Sequence, residues 1–453
     1  MRDRKWDFIP YSFYDTTGMA RHLERRAAQG WMVEKLGSLG WTYRRTQPRA
    51  LHFTVTHYLP ASAFDPEPTE GELEFRDFCA RTGWQLAAAS GQMQVFYNAD
   101  PDPVPIDTEP ALELARVGKL ARRALPLQIF LLAIGLWWAA AWVWELLHEP
   151  IDLLASAYSL ATGPLWLLLA LWCGADLACY FSWRHRAKKA APLGEFVPTR
   201  SCPGLLLTAL AVAALALVYM LLADGRPGFR VVLLAMLGAY ALLFLAVNGV
   251  KNGLKARKAP RALNRGVTLT VDVVLAFALM GAITFGLLWA LRAGLLSVRE
   301  EALDPPLSLE ELAGVEDGRY VAEIQEDATL LLARREYDQH IRWDEVQPGE
   351  GAPSLDYTVV DVRVPALQGW CERQLLHSRD DWGVEEWDGP YYQYVETDPA
   401  PWGAERAWRR WRAVENVPTG DWLLCWPGRI VVLEPGFELT QAQMALAGEK
   451  LAP

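Results

Sequence analysis

Residues 125–147 read LPLQIFLLAIGLWWAAAWVWELL, an apolar run in which Glu145 is the only charged side chain. A helix crosses the hydrocarbon core of a bilayer with roughly 20 apolar residues, because each residue adds about 1.5 Å of length. Buried helices of soluble proteins are rarely so long and uninterrupted. The sequence therefore predicts an α-helical integral membrane protein with five transmembrane helices. Four further segments reach a similar length, at 159–181, 204–222, 231–250 and 267–291.

Lysine and arginine are unevenly distributed among the segments that flank these spans. Fifteen of them lie at 116–123, 184–200 and 251–265, before span one and after spans two and four. The other connections are poorer, since 148–152 has none and 223–230 has two. Because short cationic segments stay in the cytoplasm, we expect a multi-pass protein of the plasma membrane with its N-terminus inside and its C-terminus outside. The opening residues have no apolar run of signal-peptide length, so the first 124 residues are expected to stay inside.

An internal repeat occupies residues 1–110. One copy reads FYDTTGMARHLERRAAQGWMVEKLGSLGWTYRRT from Phe13, and the other reads GELEFRDFCARTGWQLAAASGQMQVFYNA from Gly71. Each has a helical segment that ends in Gly-Trp, at Gly30 and Gly83, where glycine suits a left-handed helix cap. Alternating apolar residues indicate strands around each helix. The sequence predicts a cytoplasmic α+β domain, in which a duplicated β-α-β-β unit forms one antiparallel sheet with its helices on one face.

The same residues resemble a known family. The helix MARHLERRAAQGW, the strands WMVEKLG and WTYRR, the segment FRDFCARTGWQL and the aromatic VFYN are similar to the bacterial family called domain of unknown function 2812. The resemblance covers residues 5–110 and rests on paired Gly-Trp units, not on a catalytic signature. Family members carry this domain ahead of several hydrophobic spans, so the resemblance implies the same membrane architecture and brings no activity with it.

A basic helix at residues 111–124 is predicted to lead into span one. The Pro- and Asp-rich connector NADPDPVPIDTEP, from Asn98, precedes it and is too interrupted for a helix or a strand. Two interpretations of the basic residues stay open. They bind anionic headgroups of the lipid bilayer, at about 1 kcal/mol each, or they only set the topology. The residues are Arg116, Lys119, Arg122 and Arg123.

The C-terminal region, residues 295–453, is acidic and rich in tryptophan. From Glu300 onward it has 31 Asp plus Glu against 13 Lys plus Arg, and nine of the 21 tryptophans. We expect an α+β extracytoplasmic domain. Its negative field and aromatic faces bind a cationic ligand or partner outside the cell, or the tryptophans only fill its core. The pattern indicates strands at 357–364, 422–426 and 430–434, a helix at 366–377 and a closing helix after Thr440.

Carboxylates inside the spans are candidate functional residues, since a charge in hydrocarbon costs several kcal/mol. Asp176 lies eight residues from Arg184 and Asp272 seven residues from Arg265, which puts both at a similar depth. Either the two carboxylates meet and one holds a proton, or each pairs with a basic residue.

Two further groups belong to the region expected outside the cell. Cys371 and Cys425 are a candidate disulfide between the proposed helix and a proposed strand, because thiols can stay oxidised there. A carboxylate cluster lacks the spacing and the central glycine of an EF-hand loop, so we predict no metal site. The cluster consists of Asp380, Asp381, Glu385, Glu386 and Asp388.

The sequence has no HExxH, GxSxG, GxxxxGK[ST] or CxxC motif. We therefore expect no enzymatic activity, no cofactor and no nucleic-acid partner. The favoured hypothesis is a membrane-tethered sensor or regulatory scaffold that links the outer acidic domain to a cytoplasmic regulatory protein. The alternative is a transporter, or a subunit of a transport complex, that works through Asp176 and Asp272.

Reporter fusions test the predicted orientation. We expect a cytoplasm-specific fluorescent reporter to be active at the N-terminus and a secreted phosphatase reporter at the C-terminus, because the basic connections stay inside. The control is the reverse pair of fusions, which should be inactive. Activity of one reporter at both termini contradicts the five-span arrangement.

Overall fold

The structure is a computed structural model that describes residues 3–37, 39–223, 227–292, 300–301, 304–315, 320–341, 353–377 and 392–453. The chain packs as two compact units. The N-terminal domain belongs to the first unit and the C-terminal domain to the second. The first unit comprises Met1–Ala139, Leu165–Leu215 and Val232–Leu288, and the second comprises Ala140–Pro164, Ala216–Val231 and Trp289–Pro453.

The N-terminal domain contains the order β-α-β-β twice, as the repeat predicted. Both helices are followed by a glycine in the left-handed region, since Gly30 has a φ of +78° and Gly83 a φ of +87°. The elements are β1 (Arg4–Phe8), α1 (Thr16–Ala28), β2 (Trp31–Leu36), β3 (Gly40–Arg45), β4 (His52–His57), α2 (Glu70–Arg81), β5 (Gln85–Ser90) and β6 (Met93–Asn98).

The strands form two antiparallel sheets instead of the single sheet that the repeat predicted. Their orders are β1-β3-β2 and β4-β6-β5, so each copy completes its own three-stranded sheet. The edge strands β2 and β5 lie beside each other, and each has a bulge, after Val33 and after Leu86. A bulge leaves a residue unpaired and increases the local twist. No ladder joins these two described edges. One core, including Tyr43, Val55 and Val95, still spans both sheets.

Five helices are long and apolar enough to cross a membrane, as predicted. Large apolar side chains on them are exposed, and Leu215, Leu242 and Phe277 are 69%, 68% and 65% accessible. Such surface is unfavourable in water by about 25 cal/mol per Å², a cost that contact with lipid tails removes. The helices are α3 (Pro110–His148), the short α4 (Pro150–Ala155), and then α5 (Ala157–Ala190), α6 (Pro203–Ala223), α7 (Pro227–Ala256) and α8 (Arg261–Arg292).

Small residues bring α3 and α5 together within the first unit. A Cβ atom at Gly135 would lie 3.2 Å from the backbone nitrogen of Ala170, so the two backbones approach closely there. Nearby, the rings of Trp138 and Trp166 stack with centroids 6.0 Å apart. Close backbone approach at small residues is a common way for helices to associate in lipid. The helix α5 also carries the buried residue Asp176.

The C-terminal domain is built on one sheet of eight described strands, in the order β11-β12-β13-β14-β10-β9-β8-β7. Every strand and helix that the sequence indicated here is present, whereas β7, β8, β9, β11, β12 and α9 were not predicted. The elements are β7 (Glu300–Glu301), α9 (Leu309–Ala313), β8 (Tyr320–Ala328), β9 (Leu332–Ile341), β10 (Leu355–Val362), α10 (Pro365–Leu376), β11 (Tyr392–Thr397), β12 (Arg406–Arg412), β13 (Val417–Trp426), β14 (Arg429–Pro435) and α11 (Gln441–Leu451).

Both faces of this sheet are covered. Alternate residues of β13 point to different hydrophobic clusters, Leu424 to one and Leu423 and Cys425 to the other. The first cluster includes residues of α9 and α11, and the second includes residues of α4 and α10. Side chains of a strand alternate between faces, so strands buried on both sides show no simple polar–apolar alternation.

Gly448 of α11 packs on the short 3₁₀ helix Ala400–Trp402. A Cβ atom at Gly448 would overlap the carbonyl oxygen of Trp402, and a backbone atom moves aside only at a cost. We expect Gly448→Ala to lower the free energy of unfolding by at least about 2 kcal/mol, measured by thermal unfolding of the full chain in detergent.

Gly369→Ala in α10 is the matched control for that variant. A Cβ atom there meets nothing within 4 Å, so alanine should be neutral or stabilise the protein by about 0.5–1 kcal/mol. Equal unfolding temperatures for the two variants would contradict the packing of α11 on residues 400–402.

Candidate functional site

Asp176 lies in α5 with a carboxylate that three side chains bind. Its Oδ1 accepts hydrogen bonds from Ser12 Oγ at 2.5 Å and from the Tyr14 hydroxyl at 3.1 Å. Its Oδ2 accepts from the side-chain amide of Gln128 in α3 at 2.8 Å. Only 2% of Asp176 is exposed. Hydrogen bonds to a charged acceptor are strong, so these donors stabilise the carboxylate without a cation.

This arrangement differs from both partners that the sequence suggested for Asp176. Within the described residues it meets neither Asp272 nor a basic side chain. Its hydroxyl partners precede it in the chain by 164 and 162 positions, which no local spacing reveals. Burial, together with the nearby Asp176 carboxylate, raises the pKa of Tyr14, so the phenol stays protonated and remains a donor.

Asp15 is a second buried carboxylate next to Tyr14 in the chain. It caps α1 by accepting from the Gly18 nitrogen at 2.9 Å. It also accepts from the Thr199 hydroxyl at 3.2 Å, and from the nitrogen and hydroxyl of Ser201 at 2.9 and 2.6 Å. The sequence signals the helix cap, because an Asp precedes the helical pattern, but it does not show the bonds to the connection between α5 and α6.

Through hydrogen bonds of these two aspartates, residues 12–15 of the N-terminal domain are held to α5 and to residues 199–201. Aromatic packing surrounds them, with the rings of Tyr14 and Tyr180 at 5.4 Å between centroids. The indole of Trp183 donates to the carbonyl of Val197 at 2.9 Å, which holds the same connection. We call Asp15, Asp176 and their hydrogen-bond donors the anchor.

Asp272 is placed differently. It is exposed on α8 and makes no hydrogen bond or ion pair within the described part of the chain. The structure therefore does not bring the two candidate aspartates together in one site.

A cavity of about 480 Å³ lies beside the anchor. Its walls come from α1, β4, residues 105–107, the start of α3 and residues 196–198. Pockets for small molecules commonly have volumes of about 300–1,000 Å³. Sequence reasoning missed this cavity because five segments that are distant in the sequence build it.

Several ionisable groups line the cavity. Asp107 binds the Arg116 guanidinium through two bonds of 2.6 and 2.8 Å, and Arg116 also donates to the Thr56 hydroxyl. Burial, with Arg116 nearby, lowers the pKa of His57 to about 4, so its imidazole is neutral. Glu113 precedes the apolar part of α3, and burial followed by repulsion from Asp107 raises its pKa to about 7.

The two cysteines of the C-terminal domain are close neighbours in the fold. Cys371 of α10 and Cys425 of β13 are free thiols in one buried hydrophobic cluster. Burial raises the pKa of Cys371 to about 11 and that of Cys425 to about 12. Both thiols are therefore protonated and weakly reactive at neutral pH, and a disulfide between them stays a prediction.

Four of the six described tryptophans of this domain lie in its core, whereas Trp370 and Trp411 are partly buried. Trp402, Trp408, Trp422 and Trp426 are between 2% and 7% exposed, so their faces are not free for a ligand. Trp343, Trp382 and Trp387 lie outside the described residues, as does the carboxylate cluster at 380–388. Within the described residues, no group of three or more His, Cys, Asp or Glu side chains suits a metal ion.

Comparisons with protein families, with curated proteins and with solved structures gave no match. Membership of the family called domain of unknown function 2812 stays a prediction. Any function must therefore be argued from the anchor and the cavity.

Cysteine cross-linking tests the anchor. The Sγ atoms of Cys179 and Cys202 are 3.4 Å apart, and Cys202 directly follows Ser201. We expect the oxidant diamide to take two electrons and two protons from this pair, which leaves a disulfide of about 2.05 Å that peptide mass spectrometry detects. Cys173, buried on the same helix, should stay reduced. Asp15→Ala should lower the yield severalfold, and an unchanged yield would contradict the anchor.

Proposed function

We propose that this chain is a multi-pass protein of the plasma membrane that acts as a sensor or regulatory scaffold. Its N-terminal domain is cytoplasmic and engages a regulatory protein, and its acidic C-terminal domain is outside and binds a cationic ligand or partner. The anchor is the observation that carries the proposal, because it joins a soluble domain to a membrane helix through hydrogen bonds. The resemblance to the family called domain of unknown function 2812 agrees with this architecture.

Contacts of the N-terminal domain support the proposed orientation. The domain binds both connections that are rich in basic residues. Asp15 accepts from Ser201 after α5, and Asn264 after α7 donates to the carbonyl of Phe64 at 3.2 Å. Arg261 also lies 3.7 Å from the Asp65 carboxylate. Short connections rich in lysine and arginine are retained in the cytoplasm. We therefore propose that the N-terminal domain, which contacts them, is cytoplasmic.

Contacts of the C-terminal domain agree with the other half of the proposal. Thr329 donates to the carbonyl of Leu154 at 2.6 Å, and Gln374 accepts from the Ile151 nitrogen at 3.0 Å. Both partners belong to α4, which overlaps the connection 148–152 that has no lysine or arginine. A connection without cations is readily translocated.

The alternative, transport through intramembrane carboxylates, has less support. A working carboxylate must gain and lose a proton or an ion, but Asp176 is occupied by three donors of the protein itself. Asp272 is exposed and has no described partner to exchange with. Transporter sites are typically built from groups that converge near the midplane of the bilayer, and these two aspartates do not converge.

Two substitutions of Asp176 separate anchoring from transport. Asp176→Asn keeps one acceptor, and the Gln128 amide can turn to accept from the new amide group, so anchoring should persist. Asp176→Ala removes all three bonds. Losing hydrogen bonds to a charged group costs about 1.5–3 kcal/mol. Amide hydrogen exchange at residues 12–20 and 197–203 should therefore become roughly tenfold faster or more in the alanine variant alone.

Asp272→Ala is the matched control and should leave this exchange unchanged. In cells, photo-cross-linking from the N-terminal domain should capture a cytoplasmic partner in the wild type and in Asp176→Asn, and capture should fall in Asp176→Ala. An asparagine variant as impaired as the alanine variant would show that anchoring needs the charge of Asp176, whereas lost cellular function with normal anchoring and normal partner capture would favour transport. If neither domain yields a cross-linked partner, the scaffold hypothesis is wrong.

A further inference from the structure

The cavity beside the anchor presents acceptors that the protein does not satisfy. His57 is only 8% exposed and lines the cavity, and its ring nitrogens bond to nothing in the described chain. Glu113 also lines the cavity, and its carboxylate has no hydrogen-bond or ionic partner among the described residues. Glu113 is partly buried, and neither side chain is among the fully enclosed polar groups, so both present acceptor atoms to the open cavity, where a ligand with donors can bind them.

The remaining charges of the cavity are already balanced or lie at its surface. Arg116 is neutralised by Asp107, and Glu24 accepts from the Phe53 nitrogen at 3.3 Å. Arg21 is exposed, so water screens it. The lining therefore carries two arginines against three carboxylates, those of Glu24, Asp107 and Glu113, so the charge that it lacks is positive.

We infer that this cavity binds a small organic amine, whose ammonium group donates hydrogen bonds to Glu113 and His57. A primary ammonium has three donors and fits two acceptors of this kind. The apolar lining, including Val55, Val117 and Ile106, contacts the carbon chain of the ligand. The proposal goes beyond the regulatory role, and binding can be measured without any partner protein.

Binding there reaches the anchor directly. The cavity is lined by Thr16 and Thr17, which follow Asp15, and by Val197 and Pro198, which precede Thr199. A ligand that contacts both sides of the anchor at once can stabilise it, because ligands shift a conformational equilibrium by their different affinities for its states. The amine would then strengthen the attachment of the N-terminal domain to α5.

Binding of the amine should depend on pH through Glu113. The groups that face Glu113 are Asp107, Arg116, His57 and, from α1, Glu24 and Arg21. The bound ammonium favours the ionised carboxylate, so binding should tighten as pH rises from about 6 to about 8 and weaken again only near pH 10, where amines lose their proton. His57 is neutral throughout this window.

Calorimetry of the full chain in detergent tests the site, with putrescine as the probe and 1,4-butanediol as its uncharged counterpart. At pH 8 we expect saturable binding of putrescine and none of butanediol. Glu113→Gln should weaken putrescine binding at least about tenfold, because it removes the counter-ion. Glu109→Gln, an exposed change of the same kind just before α3, should bind normally. Thermal unfolding checks that both variants fold.

Several results would overturn the inference. They are absence of putrescine binding, equal binding of butanediol, and unchanged affinity in Glu113→Gln. A lipid headgroup is a second source of the same chemistry. Nanodiscs with phosphatidylethanolamine should lower the apparent affinity for putrescine relative to phosphatidylcholine if the lipid amine is the occupant, and equal affinities would indicate a free amine; both results keep the amine site.

Discussion

A buried carboxylate that must be satisfied without a counter-ion constrains this protein most. An isolated charge in an apolar setting is so costly that it persists only with strong hydrogen bonds. Asp176 obtains them from Ser12, Tyr14 and Gln128. The first two come from the segment between β1 and α1, so the bonds of one residue of α5 hold that part of the N-terminal domain against the helix. Asp15, which directly follows Tyr14, is also a buried carboxylate held by hydrogen bonds, and its donors come from residues 199–201. The position of the domain thus follows from two carboxylates, and hydrophobic burial around Tyr14 and Trp183 reinforces it.

The sequence predicted what depends on local period and length, and it missed what depends on distant partners. Spans of about 20 apolar residues, helix caps at Thr440 and left-handed glycines at Gly30 and Gly83 are local, and the structure has all of them. Asp176 was recognisable as unusual from its apolar neighbours. Its partners were not, because a hydroxyl 164 positions earlier carries no signal of its own. The same reasoning explains the sheets: the repeat predicted the strands, but pairing of β2 with β5 depends on contacts between the two copies, and the described edges form no ladder.

The missed strands of the C-terminal domain have a different cause. The strand β9 reads LARREYDQHI, a composition that suggests a solvated loop. In the sheet, Arg335 pairs with Glu326 of β8 and Asp361 of β10, both at 2.9 Å, so its charges are matched across strands. Acidic residues that would favour binding of cations are in part neutralised by such arginines. The net charge of the domain therefore overstates the electrostatic field that a cationic ligand would meet.

The cavity lies beside the anchor, and this proximity supports the regulatory hypothesis more directly than the net charge of the C-terminal domain does. A sensor needs a site whose occupancy changes the relative stability of two states, and a contact that differs between them. The proposed amine site meets the first condition, because a bound donor gives His57 and Glu113 a partner that the described residues do not supply. The anchor meets the second condition, because its hydrogen bonds between α1 and residues 199–201 are formed in one state and broken in the other. Both depend on the short segment 15–17, so occupation of the cavity and closure of the anchor stabilise the same conformation. Reciprocity then requires that whatever tightens the anchor from the membrane side also tightens binding in the cavity.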